Sequence, residues 1–382
     1  MKILMGLDYY LPNYSGLTLY AAALSEGLAR RGHSVSVLTH QHLPELPTES
    51  VEAGVRVVRA PVTARLGKAL LSPAILARAL REVPRSDVLH LHAPLVNAVP
   101  LAFIASTLRV PIVVTYHCDL QPPPRLGQRF VEVVARVSQH FALERAGRIV
   151  TNTEDYARHT RPLADRAEKV GWILPPVADP PASALTPDAT RRKFGIAGRP
   201  VVFFLGRFAE EKGLPVLLRA FPAIRRRYPD AALVLAGAMS IPGETILAEV
   251  EPLLADASSG VVATGSVPPG ILAGLFAIAD VLVLPSVNST ESFGLVQVEA
   301  MLSGVPVVAS DLPGVREPIR MTGMGEIARA GDAADLARKV LDVLDAPERF
   351  RRPRSEIRAL FSTDRTLADY EAVYRSVAGT AG

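Results

Sequence analysis

The chain reads as α/β, two doubly wound domains facing each other across a central cleft. Three observations carry that expectation. At 382 residues the chain exceeds what one core of ordinary size holds. Short β-rich apolar runs alternate with helical patterns along its whole length, which implies parallel sheets covered on both faces. And a proline-rich break, PPVADPPASALTP at 175–187, interrupts the alternation before it restarts.

In the first half, KILMGLDYY, SVSVLTH, VRVVRAP, DVLHLHAP, PIVVTYH and RIVTNT read as strands. Residues 17–31, 73–82, 95–108 and 125–146 read as the helices between them. LARRGHSV ends a helix on Arg30 and Arg31, stops it at Gly32 and starts a strand at once, as a tight α/β connection requires. The expected boundaries are 1–174 for the first domain, 175–192 for a linker and 193–362 for the second domain. In the second domain VVFFLGRF, AALVLAGA, GVVATGS, DVLVLPS and PVVAS are strands. KGLPVLLRAFPAIRRRY, IPGETILAEVEPLLA, ILAGLFAIA and SFGLVQVEAMLSG are helices. From Ala333 the pattern is nearly all helical, and the last segment, about 363–382, is expected to pack back on the first domain.

Hydrophobic residues make up 49% of the chain, yet no run of about 20 is uninterrupted, so no membrane span is expected. Gly6 and Asp8 break the opening apolar run, which reads as a buried strand rather than a leader, and the expected location is cytoplasmic. The single cysteine, Cys118, excludes an internal disulfide and a cysteine-rich metal site. Net charge is +4, with basic clusters at Arg225 to Arg227 and at Arg351 and Arg352. These suit phosphate-bearing ligands, an anionic membrane or simply a solvated helix face. With 6% aromatics and no basic run interleaved with stacking residues, nucleic-acid binding is not expected.

Open α/β sheets bind ligands outside the carboxyl ends of their strands, so the residues there are the candidates. After the first strand, PNYSG leads through Gly16 into a helix whose amides suit a phosphate, although any βα turn favours small residues. His117 follows PIVVTY, where it either contacts a reacting centre or is an ordinary satisfied histidine. Arg207 and Lys212 flank a glycine-bounded loop and could grip adjacent phosphates, or could pair with Glu210 and Glu211. Glu291 sits before a helix capped by Thr290 or Ser292, with the amides of Phe293, Gly294 and Leu295 facing the cleft. Glu299, eight residues on, lies roughly 12 Å along that helix, so the two carboxylates could meet opposite ends of one elongated ligand. Alternatively Glu291 is only a favourable N-terminal charge and Glu299 a partly exposed helix acid.

Taken together, Glu291 to Glu299 with EAMLSGVPVVASDLPGVRE, the GRFAEEKG loop, RRGHSVSVLT and TYHCD resemble glycosyltransferase family 4 over nearly the full chain. These are retaining nucleotide-sugar transferases with two Rossmann-like domains, the GT-B fold. The resemblance implies that Arg207 and Lys212 neutralise the departing diphosphate and that Glu299 binds the ribose. It further implies that Glu291 contacts sugar hydroxyls and that the amides of Phe293, Gly294 and Leu295 hold sugar and phosphate. His117 would lie near the transferred sugar and Gly16 near the phosphates and acceptor. Many members have Gly-Gly where this chain has Ser15-Gly16, which narrows that loop.

The implied donor is UDP- or GDP-linked, and the acceptor a hydroxyl of a glycan, lipid or small molecule. The chain holds no Asp-x-Asp, and transfer without a metal or other cofactor is expected. An inactive nucleotide-sugar binding subunit and an epimerase or phosphorylase on the same architecture are the alternatives. The stretch 64–82, with Arg65, Lys68, Arg78 and Arg81 among leucines, and the loop 121–130 fit either peripheral contact with an anionic membrane or an ordinary amphipathic surface.

Overall fold

A computed structural model describes residues 1–66, 69–120, 129–196, 199–239, 246–256 and 260–379. The chain divides into two compact units, residues 1–176 with 362–382 and residues 177–361.

Unit 1 contains strands β1 Lys2–Gly6, β2 Ser34–Gln41, β3 Glu49–Glu52, β4 Val55–Pro61, β5 Ala64–Leu66, β6 Ala69–Leu71, β7 Val88–Ala93, β8 Ile112–Tyr116, β9 Arg148–Thr151 and β10 Val170–Trp172. Its main sheet runs β10-β9-β8-β7-β1-β2-β4-β3, parallel except for β3, while β5 and β6 form a small hairpin. Met5 of β1 pairs with Val37 on one side and His90 on the other, so β1 lies at the centre. Successive side chains of a strand point to opposite faces. Leu4 accordingly joins a core with Leu89, Leu91 and Leu101, and Ile3 and Met5 join one with Tyr20, Leu24 and Tyr370.

Helices α1 Gly16–Arg30, α2 Ala74–Glu82, α3 Ala98–Thr107, α4 Arg129–Arg145, α5 Glu154–His159 and α6 Arg161–Ala164 belong to this unit. α1 opens on a reciprocal cap, in which Ser15 Oγ accepts the Thr18 amide and Thr18 Oγ1 accepts the Ser15 amide.

Unit 2 holds α7 Pro187–Phe194, β11 Val201–Leu205, α8 Leu214–Arg227, β12 Ala232–Ala236, α9 Ile246–Asp256, β13 Val261–Gly265, α10 Pro269–Ile278, β14 Val281–Leu284, α11 Leu295–Leu302, β15 Val307–Ser310, α12 Glu317–Thr322, β16 Gly325–Ala328, α13 Ala333–Asp345 and α14 Arg354–Leu360. Its all-parallel sheet runs β13-β12-β11-β14-β15-β16, a doubly wound order that reverses between β11 and β14. VVFFL, ALVLA and VLVL are buried nearly throughout, as strands covered on both faces must be. Phe204, Phe221, Leu235 and Val340 lie in its core.

The last helix, α15 Thr363–Gly379, belongs to unit 1 and buries Leu367, Tyr370 and Tyr374. The change of unit falls after Pro176, and α7 starts at Pro187, so the segment 175–192 is not a linker throughout. The α/β class and its parallel, doubly wound sheets are as the alternation indicated. The edge strand β3, the β5–β6 hairpin and the short β10 and β16 were not.

Candidate active site

In unit 2 the loops after β11 and β14 leave adjacent strands at the reversal of sheet order, the ligand position of a doubly wound sheet. The first loop is pinned to β12 and its exit by Gly206 N–H to the Ala236 carbonyl at 3.0 Å and Phe208 N–H to that of Ala238 at 2.9 Å. It then makes a 3-10 turn, Glu210–Lys212, and leaves through Gly213 at φ +63°. A Cβ there would lie 2.0 Å from the Pro285 carbonyl oxygen, so only glycine lets the two loops approach this closely. Val287 N–H donates to the Glu211 carbonyl at 3.1 Å and ties them together.

This seam brings Lys212 to Glu291. The ammonium donates to Glu291 Oε2, and the side chains are only 21% and 12% exposed. Beside them Arg207 Nη2 donates to Glu211 Oε1 at 2.9 Å. Each cation therefore carries a carboxylate partner, and an incoming anion has to take its place.

The helix that bears Glu299 differs from expectation at its start. α11 begins at Leu295, and its N-cap is Gly294 at φ +78°, without a side-chain cap. Neither Thr290 nor Ser292 caps it; the Thr290 amide and hydroxyl bond Asn288 Oδ1 at 3.1 and 2.6 Å. A Cβ on Gly294 would meet Leu284 Cδ2 at 2.3 Å, which accounts for glycine here.

Glu291 thus lies on the preceding turn, so the expected 12 Å rise along one helix does not describe the pair. The Phe293 ring is 2% exposed and edge-on to Phe361 at 6.2 Å, leaving its backbone as the part that could meet a ligand. Buried Gln297, which the sequence reading passed over, braces this turn by donating to the Phe293 carbonyl at 2.7 Å and that of Val315 at 2.9 Å. Glu299 is half-buried, and no described residue donates to its carboxylate. Desolvation pushes its carboxyl up to about 7.

In unit 1, Gly16 opens α1 and is exposed, with no described atom within 4 Å of a Cβ placed there. The amides of Ser15 and Thr18 are taken by the cap, which leaves fewer donors for an anion than the loop alone suggested. His117 follows β8, is 7% exposed, and its backbone N–H donates to the Ala93 carbonyl at 2.9 Å. Its Nε2 lies 2.9 Å from Nδ1 of His92, and its ring and that of Tyr20 stand nearly perpendicular with centroids 4.8 Å apart. Burial, then the field of His92, holds its pKa well below the usual histidine range.

Asp8, just after β1, also escaped the sequence reading. It accepts from the Val96 amide at 3.1 Å and Asn97 Nδ2 at 3.3 Å, and burial raises its pKa. His92 and Asp8 gave no signal because each lies in or just after a buried apolar strand, where a structural role is the ordinary expectation.

On α2, Leu76 and Leu80 are exposed while Arg78 donates to Glu49 at 3.0 Å. Lys68 and residues 121–128 lie outside the described residues. No helix among the described residues is long and apolar enough to cross a membrane.

A family model described as glycosyl transferases group 1 matches residues 187–359, and one described as a glycosyl transferase 4-like domain matches residues 15–173. The chain is 30% identical over 351 residues, 85% of its length and 88% of the relative's, to a 2-deoxystreptamine glucosyltransferase of Streptomyces kanamyceticus. It is 29% identical over 366 residues, 91% and 90% of the two chains, to a GDP-mannose-dependent alpha-(1-6)-phosphatidylinositol monomannoside mannosyltransferase of Mycolicibacterium smegmatis. Among solved structures, a sucrose-phosphate synthase from Thermosynechococcus elongatus superposes with a TM-score of 0.78 at 22% identity, covering 99% of both chains. Both halves of the fold and nearly the whole sequence thus point one way, and the chain belongs to glycosyltransferase family 4, as a transferase of the GT-B fold.

Proposed function

We propose that the chain moves a sugar from a UDP- or GDP-linked donor to a hydroxyl of a glycan, lipid or small-molecule acceptor, with retained anomeric configuration and without a metal. The observation that carries this reading is the Lys212–Glu291 pair, set beside Arg207 at the reversal of the sheet, with Glu299, to which no described residue donates, on the adjoining helix. The names of the relatives agree with it, one being a GDP-mannose-dependent enzyme with a lipid acceptor and the other acting on a small aminocyclitol.

As the bond between the anomeric carbon and the phosphate oxygen breaks, its electron pair and charge move onto the diphosphate. Lys212 and Arg207 exchange their carboxylate partners for those oxygens and stabilise the charge as it develops, in place of a metal. Glu291, released from Lys212, accepts from sugar hydroxyls, and Glu299 accepts from the ribose. The backbone of Phe293, Gly294 and Leu295 holds sugar and phosphate; of the residues of unit 1, Gly16 is assigned to the phosphates and the acceptor and His117 to the transferred sugar. The acceptor hydroxyl bonds to the anomeric carbon on the face the diphosphate leaves, and its proton passes to a phosphate oxygen.

The test is to incubate the protein in EDTA with UDP-glucose or GDP-mannose and, in turn, 2-deoxystreptamine or phosphatidylinositol. Free nucleotide is measured, and the anomeric coupling of any product is read by NMR. Acceptor-dependent nucleotide release and a product with the donor's configuration support the reading. An inverted product, or activity that EDTA abolishes, contradicts it.

A further inference from the structure

His90 and His92 stand two apart on β7, so their side chains share one face of the sheet. Both are buried completely, and they are treated very differently. His90 has a partner at each nitrogen, Thr115 Oγ1 at 2.7 Å from Nε2 and the Tyr374 hydroxyl at 2.8 Å from Nδ1. Among the described residues His92 has one, His117 Nε2 at 2.9 Å from its Nδ1, and its buried Nε2 has no hydrogen-bond partner. A buried polar atom left unsatisfied is destabilising, and an apolar side chain at position 92 would avoid it. Position 92 therefore carries an imidazole whose one hydrogen-bond partner among the described residues is the histidine assigned to the sugar.

We propose that His92 is a positioning residue that fixes the ring plane and the tautomer of His117. This rests on the reading that His117 meets the transferred sugar. The rings of His92 and His117 lie nearly parallel, 17° apart, and the Tyr20 ring stands at 87° to that of His117 with centroids 4.8 Å apart. Burial keeps both imidazoles neutral, with His92 held down at about 3. Each ring then carries one N–H. If His117 donated through Nε2, the proton of His92 would sit on its Nε2 as an orphaned buried donor. If His92 donates from Nδ1, the orphan is a bare acceptor, the better tolerated of the two. The proton of His117 is thereby placed on Nδ1 and its basic nitrogen, Nε2, is taken by His92, so the ring presents no base to the sugar.

The test uses the full chain labelled with 15N-histidine, the resonances of residue 117 being assigned from their loss in His117→Gln. Asparagine places an amide N–H where histidine carries Nδ1, so His92→Asn preserves the donor and His92→Leu removes it. The expected result is an Nδ1-protonated His117 in the parent protein and in His92→Asn, and a mixed or reversed tautomer in His92→Leu. An Nε2-protonated His117 in the parent, or an unchanged tautomer in a folded His92→Leu, overturns the proposal. Nucleotide release from UDP-glucose or GDP-mannose is then expected to slow about tenfold in kcat in His92→Leu, with unchanged donor KM and recovery in His92→Asn. A shifted tautomer without that loss upholds the coupling of the two rings and refutes instead the role of His117 at the sugar.

Discussion

Lys212 and Glu291, 79 residues apart in the chain, are hydrogen-bonded partners because Gly213 lets the loop after β11 pack on the loop after β14. Both charges are paired and largely shielded from water before any donor arrives. On the proposed function a diphosphate would replace one strong interaction of Lys212 with another, the cation being held in place beforehand rather than recruited.

Lys212→Ala is expected to lower kcat about a hundredfold with a smaller change in donor KM, because the lost stabilisation develops as the diphosphate departs. Glu291→Gln should act mainly on KM. Each variant should also lose stability, by about 1–3 kcal/mol, because it leaves the other charge, largely shielded from water, without its partner. Steady-state kinetics beside a urea titration separates the two effects.

Glu299 predicts a pH dependence of donor binding. Its carboxyl titrates at about 7 in the folded chain against an ordinary 4.5. The folded protein thus keeps a proton that the unfolded chain has already released between those values. That contribution to stability is complete below pH 4.5 and is lost as pH rises through 7. The ionised form is the better acceptor for ribose hydroxyls, so nucleotide affinity should rise about tenfold from pH 6 to pH 8. Glu299→Gln should flatten both slopes in calorimetric and denaturation series.

The histidines of unit 1 predict the opposite sign. Burial depresses His90, His92 and His117 below their ordinary 6.5, so the unfolded chain binds more protons than the folded one beneath that pH. Their contribution is present above pH 6.5 and is lost on acidification, by about 1.4 kcal/mol per pH unit for each histidine that stays neutral. Fluorescence of Trp172, the single tryptophan, follows unit 1 directly. The urea midpoint should fall between pH 7 and 5.5.

Gly213→Ala should destabilise the protein by more than about 2 kcal/mol, combining left-handed strain with a Cβ driven into the Pro285 carbonyl. Gly16→Ala, in open space and at an ordinary φ, should fold normally. Thermal denaturation of the two variants side by side checks the contrast.

Local pattern made much of this molecule legible. VVFFL and VLVL read as buried parallel strands because their apolar runs are continuous, and Arg207, Lys212 and Glu291 stood out by following strands. Tertiary structure decided the rest. SFGLVQVEAML reads as helix from Ser292, yet Gly294 takes a left-handed conformation that delays the helix to Leu295. ESVE at β3 alternates too weakly to signal a strand, and pairing with β4 creates it. The facing of His92 and His117 depends on two strands lying side by side in register, with His92 opposite Thr115, which no short window contains.

Calorimetric titration of UDP-glucose and GDP-mannose in EDTA, into the parent protein and into Glu299→Ala, tests the central claim most directly. The expected result is metal-free binding of one donor by the parent and weakening by about tenfold or more in Glu299→Ala, the loss of a hydrogen bond to a charged group. Equal affinity in the two proteins, or binding that appears only when a divalent metal is restored, would contradict it.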